Sequence, residues 1–174
     1  MNVSIKRRSL TESEITRLMQ DIRLFPDLAY VSPARWRRLI DPYVLEVDRV
    51  FAGACGVYRF DHWIKLGPLV LLKKYHGKGL GKRLLKTIID DYPAVSVFIT
   101  SSHPAAQHTV ESFGFQQVSS FFSLPKEVKR FLIRQLTEHM NISFLYEAIR
   151  KGFSLRKGKR KFYVKLADAG AASI

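Results

Sequence analysis

The sequence predicts a single mixed α/β domain, and three observations predict it. Strand-like and helix-like hydrophobic periods alternate along the chain in the order β-α-α-β-β-β-α-β-α-β, followed by further helices and a last strand. At 174 residues, 47% of them hydrophobic, the chain has the size and composition of one domain with a real core. No internal repeat interrupts it, and no linker is long enough to separate two domains.

The elements follow in order. Val3 and Ile5 alternate with polar residues in Asn2–Arg8, the pattern of a short strand. Thr11-Glu-Ser-Glu14 has the spacing of a capping box, in which a hydroxyl and a carboxylate each satisfy an orphan backbone donor. Ile15, Leu18, Met19 and Ile22 then carry a helix to about Leu24. Ser32-Pro33 is an N-cap with proline at the first helical position. It opens a short helix through Trp36, Leu39 and Ile40 that Asp41-Pro42 stops. Tyr43–Asp48 and Val50–Arg59 read as strands joined tightly at Asp48-Arg49, and Trp63–Lys74 as a third. The apolar run Leu69–Leu72 marks that third strand as central and buried.

A glycine-rich turn follows, then an amphipathic helix on Leu80, Leu84, Leu85, Ile88 and Ile89. Val95–Thr100 reads as a buried strand, Pro104–Phe113 as a helix stopped by Gly114, and Phe115–Phe122 as a strand. Beyond Leu124-Pro125, helices are expected at Lys126–Met140 and Ser143–Lys151, then a basic loop at Arg156–Lys161 and a strand at Phe162–Leu166. The expected domain is thus 1–166, with a cofactor core over about 50–122 and a helical insertion over about 125–155. A flexible tail is expected over residues 167–174.

Charge and composition exclude several classes. No apolar run approaches the roughly 18–20 residues that span a bilayer. The polar, acidic stretch Thr11–Gln20 stands where a secretory leader would be apolar. Cys55 is the only cysteine, so neither an internal disulfide nor a Cys-rich zinc site is possible, and no metal is expected. A reducing, cytoplasmic setting fits. Net charge is +14, from 29 basic and 15 acidic residues, and Lys126–Lys165 alone holds twelve Lys or Arg against three Glu. Such a field attracts polyanions: nucleic acid, acidic protein, anionic lipid or a phosphorylated cofactor. Arg156, Lys157, Lys159, Arg160 and Lys161, and also Trp36-Arg-Arg38, are candidate phosphate contacts, or else solvated surface.

The chemistry concentrates in Leu69–Leu85, LVLLKKYHGKGLGKRLL. A buried strand runs through His76-Gly-Lys-Gly-Leu-Gly81 straight into a basic helix. Glycines at alternate positions let the backbone turn sharply and present its N–H groups outward. The helix start adds free donors and a positive dipole end, and Lys78, Lys82 and Arg83 add counter-charge. This pattern describes a pyrophosphate cradle. It is not a nucleotide P-loop, because Gly81-Lys82 is followed by Arg83. Nor is it a dinucleotide turn, because three strands come before the one that leads into it and Gly77, Gly79 and Gly81 are misspaced.

The segment His76-Gly-Lys-Gly79-Leu-Gly81 resembles the acetyl-coenzyme A motif of the GNAT N-acetyltransferase superfamily, Gln/Arg-x-x-Gly-x-Gly/Ala. Downstream, His103-Pro-Ala-Ala106 and Val110-Glu-Ser-Phe-Gly114-Phe115 keep the spacing of that family's Asn-x-x-Ala and Tyr-x-x-x-Gly-Phe. The resemblance covers Gly53 to Phe122 and is weak at both ends. It implies a mostly antiparallel, twisted sheet flanked by helices, in which the pantetheine arm lies beside the strand at Leu69–Lys74. Leu71 and Lys73 would bond its amides, and an N–H at Leu71 or Leu72 would polarise the thioester carbonyl. His76, Gly77, Lys78, Gly79, Leu80, Gly81 and Lys82 would hold the pyrophosphate, and Ala106 would face the cofactor.

The implied reaction is direct attack of an amine on acetyl-coenzyme A. Its acceptor is left open among small molecules, proteins and aminoacyl-RNA, and a dimer is one option for its assembly. The sequence departs from the family at three places. His76 replaces Gln or Arg, His103 replaces Asn, and Val110 replaces the Tyr that protonates the departing thiolate. Candidates for the base are His103, His62 and Asp61, with Glu46 and Asp48 on the preceding hairpin. Cys55, inside an apolar strand, reads as a small hydrophobe. A cofactor-binding module without turnover, and a basic RNA-associated protein, are the alternatives.

Overall fold

The computed structural model describes residues 1–24, 31–139 and 160–167. Seven strands make one mixed sheet in the order β1-β2-β3-β4-β5-β7-β6, flanked by helices. They are β1 Val3–Arg7, β2 Tyr43–Val47, β3 Val50–Phe60, β4 Trp63–Leu71, β5 Ser96–Ser101, β6 Gln116–Val118 and β7 Lys161–Lys165. The helices are α1 Glu12–Leu24, α2 Pro33–Arg37, α3 Leu80–Asp90, α4 Pro104–Ser112 and α5 Lys126–His139. The described residues cluster into two compact units: 1–24, 31–58 and 66–93, and 59–65, 94–139 and 160–167.

In the first unit β1 and β2 run antiparallel from Val3↔Val47 to Arg7↔Tyr43, and β2 pairs with β3 from Tyr43↔Cys55 to Val47↔Val50. The β2–β3 turn places Asp48 and Arg49 at φ 49° and 65°. Two left-handed residues in succession match the twist of a two-residue hairpin. The capping box forms as its spacing predicts: Thr11 N–H donates to Glu14 Oε2 at 2.9 Å, and Glu14 N–H to Thr11 Oγ1 at 3.3 Å. Glu14 also takes both ends of the Arg8 guanidinium, at 2.9 and 2.6 Å, and Arg8 reaches on to Glu46 at 2.9 Å. One arginine therefore ties β1 to α1 and β2. The Ser32 hydroxyl accepts Arg35 N–H at 3.3 Å and starts α2. Leu18, Ile22, Trp36, Val44, Leu45, Ala54, Leu84 and Ile88 form the core of this unit.

In the second unit β7 lies between β5 and β6, antiparallel to both, with Phe98↔Val164 and Gln117↔Tyr163 in register. Val128 and Phe131 bury the inner face of α5, and Phe131 stacks on Phe60 with centroids 4.1 Å apart. Lys65 Nζ donates to Gln135 Oε1 at 2.5 Å.

Three boundaries differ from the sequence expectation. The second helix ends at Arg37, because Ile40 is exposed and Asp41 turns left-handed at φ 44°. The third strand ends at Leu71, and Lys73–Tyr75 forms a 3₁₀ turn. The strand expected over Phe115–Phe122 pairs only at Gln116–Val118. Phe115 is instead buried, and Phe121–Ser123 coils into another 3₁₀ turn. The helix expected at Ser143–Lys151, most of the basic loop, and the tail beyond Ala167 lie outside the described residues. No helix among the described residues is long and apolar enough to cross a membrane.

Candidate functional site

The glycine turn is built by hydrogen bonds that begin where β4 ends. Leu72 N–H donates to Ala52 O at 2.8 Å, pinning the strand end to β3. Backbone groups of successive strand residues point to opposite edges, so the N–H and C=O of Leu71 face away from β3. Its carbonyl accepts the His76 ring Nε2 at 2.8 Å, which fastens the turn to its own strand. Lys73 N–H donates to Asp21 Oδ2 at 2.6 Å, which ties the turn to α1. Tyr75 N–H then bonds Leu72 O at 2.9 Å and His76 N–H bonds Lys73 O at 3.1 Å.

Gly77 and Gly79 follow at φ 73° and 71°, where any side chain is strained. A Cβ at either would meet nothing within 4 Å, so the backbone angle and not crowding requires glycine there. Gly79 caps α3, whose first internal bond is Arg83 N–H to Gly79 O at 3.0 Å. Between those bonds the amides of Gly77, Lys78, Gly79, Leu80 and Gly81 find no acceptor among the described residues. The first turn of α3 carries no acidic residue. Lys74 and Lys78 hold their ammonium groups 4.8 and 5.7 Å from the ring centroid of buried Tyr75. Gly81 has no left-handed angle, and a Cβ there would make only an ordinary 3.5 Å contact with Leu71. The arrangement offers five donors beside the Lys74 and Lys78 ammonium groups and no carboxylate in the helix start. It can hold a multiply charged anion such as a pyrophosphate.

Two supports of this turn lie outside the glycine motif itself. Asp21 has the look of a polar position on α1, and nothing local marks Lys73 as its partner. A Cβ at Gly53 would overlap the Val70 carbonyl oxygen and lie 2.9 Å from Leu71 Cα, so β3 and β4 approach closely only because this residue is glycine. A glycine inside a strand is the available clue. A shallow hollow of about 620 Å³ lies beside the turn, lined by Arg17, Gln20, Asp21, Leu72, Lys73 and Lys74.

In the second unit, His103 caps α4 and exposes its ring, while its N–H donates to Ser101 Oγ at 3.2 Å. Ala106 is exposed one turn on, and Val110 is 3% exposed. Tyr163 donates its hydroxyl to Glu111 at 2.9 Å. Burial and that carboxylate push its phenol up to about 12, so this tyrosine is engaged in the fold. Asp61 turns left-handed at φ 47° between β3 and β4, and His62 stands exposed beside Trp63, nine residues before Leu71.

The two carboxylates of the β2–β3 hairpin, Glu46 and Asp48, are engaged by neighbouring groups. Glu46 is held below the usual carboxylate range by Arg8 and Lys6, and Asp48 accepts Asn2 N–H at 2.7 Å. Burial pushes the Cys55 thiol up to about 12, against a bond from the Gly67 backbone, so the thiolate nucleophile of a covalent route is not available. Among the described residues no group of three His, Cys, Asp or Glu is placed to hold a metal.

Comparison with solved structures finds the same fold at low identity. N-acetylglutamate synthase from Neisseria gonorrhoeae, complexed with coenzyme A and N-acetyl-glutamate, matches with TM-score 0.64 at 19% identity. That match covers 97% of this chain and 36% of the synthase, so the chain spans little over a third of that protein's length. A GNAT-family acetyltransferase from Staphylococcus aureus Mu50 matches with TM-score 0.62 at 13% identity, over 96% of this chain and 100% of its own. The ribosomal-protein-S18-alanine N-acetyltransferase from Escherichia coli matches with TM-score 0.60 at 15% identity, over 99% of both chains. No curated protein sequence matches. Residues 12–115, which hold α1, the glycine turn and α4, match the model of the Acetyltransferase (GNAT) family, and the chain belongs to that family.

Proposed function

We propose that the chain transfers an acetyl group from acetyl-coenzyme A to an amine by direct attack. The observation that carries this reading is the row of acceptor-less amides from Gly77 to Gly81 at the start of α3. They are the right donors for the pyrophosphate, with Lys78 and Lys82 as counter-charges and Leu80 anchoring the helix. The cofactor supplies its acetyl group already activated as a thioester. Leu72 and Lys73 amides are bonded to Ala52 and Asp21, so we assign polarisation of the thioester carbonyl to Leu71 N–H. His76 holds the Leu71 carbonyl in place, and Ala106, exposed on α4, is the residue the family pattern assigns to the cofactor.

The amine nitrogen forms the new bond to the carbonyl carbon, the carbon–sulfur bond breaks, and the nitrogen sheds one proton. His103, an exposed residue at the start of α4, is the base candidate carried forward. Val110 cannot donate a proton, and water protonates the departing thiolate, a tolerable leaving group. Holding the reactants together supplies much of the acceleration.

A second reading, favoured by buried Val110, is a module that binds the cofactor without turnover. Calorimetry with coenzyme A, paired with thiol release from acetyl-coenzyme A over a panel of amines, separates the two. Binding with release supports transfer, and binding without release supports the module. No affinity for coenzyme A sinks both.

A further inference from the structure

Acetyl transfer gives no role to the hollow of about 620 Å³ beside the glycine turn, lined by Arg17, Gln20, Asp21, Leu72, Lys73 and Lys74. Its size is that of a pocket for a small molecule. Its walls come from α1 and from the residues just after β4, all within the first compact unit. Arg17, Lys73 and Lys74 are exposed cations. Arg17 and Lys73 have no carboxylate partner among the described residues. Lys74 Nζ lies 4.8 Å over the Tyr75 ring.

The bare charge of Arg17 has a local cause. On a helix, an arginine finds its ion pair in a carboxylate three or four positions away. Glu14, three residues before, takes the Arg8 guanidinium at 2.9 and 2.6 Å instead. Asp21, four residues after, turns to the Lys73 amide at 2.6 Å. Both helical partners of Arg17 are therefore engaged elsewhere, and the one carboxylate in the lining is held by backbone. Leu72, buried with its N–H on Ala52 O, adds an apolar wall.

We infer that Arg17, Lys73 and Lys74 form a site for a phosphate monoester, distinct from the pyrophosphate cradle of Gly77–Gly81. A monoester is close to a dianion at neutral pH, so it matches several cations where a carboxylate would match one. The guanidinium fork suits two phosphate oxygens, and the ammonium groups add point charge. Gln20 can donate its side-chain amide. Two sources carry this group. Coenzyme A brings its own, because its 3′-phosphate sits on the ribose that also bears the pyrophosphate, and Lys73 and Lys74 directly precede the turn. The other source is a separate phosphorylated small molecule. Only the first source rests on the proposed function.

The test is calorimetry on the full chain with coenzyme A, with dephospho-coenzyme A, which lacks the 3′-phosphate, and with phenyl phosphate. If the cofactor is the source, the parent is expected to prefer coenzyme A by about tenfold, the scale of one charge-assisted bond. Arg17→Gln is expected to remove most of that preference by weakening coenzyme A alone, and its intact dephospho-coenzyme A binding shows that the variant is folded. Arg23→Gln deletes the same charge from the last turn of α1, outside the hollow, and is expected to leave the preference unchanged. If the source is a separate ligand, phenyl phosphate binds the parent saturated with dephospho-coenzyme A, is lost in Arg17→Gln, and is not replaced by benzoate. Failure of the cofactor reading shows itself separately, as no affinity for either coenzyme, and phenyl phosphate then tests the hollow in the free chain. A preference that survives Arg17→Gln, or that falls equally in Arg23→Gln, overturns the proposal. So does a parent with neither preference nor phenyl phosphate binding, or one that takes benzoate equally well.

Discussion

Gly79 and Gly81 look interchangeable in HGKGLG, and their backbones separate them. Gly79 lies at φ 71° with open space around it, whereas Gly81 sits in the first turn of α3 at an ordinary angle. Gly79→Ala is therefore expected to cost about 1 kcal/mol of stability through the left-handed penalty alone and to weaken coenzyme A binding by distorting the donor row. Gly81→Ala is expected to leave stability nearly unchanged. Denaturant unfolding and calorimetry on both variants check the pair, and equal destabilisation would refute the distinction. Cys55 gives a second test at this scale. It is fully buried and its thiol is pushed up to about 12, so a thiol reagent at neutral pH is expected to label it only after denaturation. Rapid labelling of the native protein would place this residue elsewhere.

At the scale of elements, two polar contacts of α1 each have a consequence. The Asp21 carboxylate on the Lys73 amide ties the helix to the turn after β4. Asp21→Ala is expected to lower stability by about 1 kcal/mol and to loosen the turn, with a fall in coenzyme A affinity. Asp21→Asn keeps an acceptor oxygen and is expected to retain most of both. If the alanine variant binds coenzyme A like the parent, the tie does not position the turn.

The second contact is the Arg8–Glu14 pair. Burial alone raises the Glu14 carboxyl, but the bonds from Arg8 and the Thr11 amide outweigh it and hold the group below the usual range. A lowered folded value means that the pair's stabilisation is complete above the unfolded carboxylate range, roughly pH 4.3. It is lost as pH falls through the folded value. Glu14→Gln is expected to cost about 2 kcal/mol at neutral pH, with the gap to the parent closing in acid. A gap that stays constant with pH would show that charge has no role in it.

These elements also show why the sequence is legible in some places only. Thr11 with Glu14, Ser32 with Pro33, and Gly114 act within a turn of their own position, so helix starts and stops can be read directly. The 3₁₀ turn at Lys73–Tyr75 depends on Asp21, fifty-two residues away, and no local pattern reports it. The same holds for the site. Positive φ demands glycine, so the cradle shows itself in Gly77 and Gly79. The Leu72–Ala52 bond and the tight approach at Gly53 arise only when β3 and β4 meet, and so the choice between the Leu71 and Leu72 amides stays open until the strand edges are known.

Over the whole molecule the dominant property is the charge of +14. It acts on encounter before any contact forms. Coenzyme A carries several phosphate charges, and a strongly cationic protein concentrates it near its surface. At about 0.1 M salt the screening length is near 10 Å, so the long-range attraction fades while bonds at the glycine turn persist. The association rate for coenzyme A is therefore expected to fall steeply as salt is raised, with the dissociation rate changing much less. Pantetheine thioesters, which lack the phosphates, are expected to associate slowly and almost independently of salt. Stopped-flow measurements with both ligands separate steering from grip. A salt-independent association rate for coenzyme A would mean that the basic surface lies too far from the turn to guide the cofactor, and that its charge serves another polyanion.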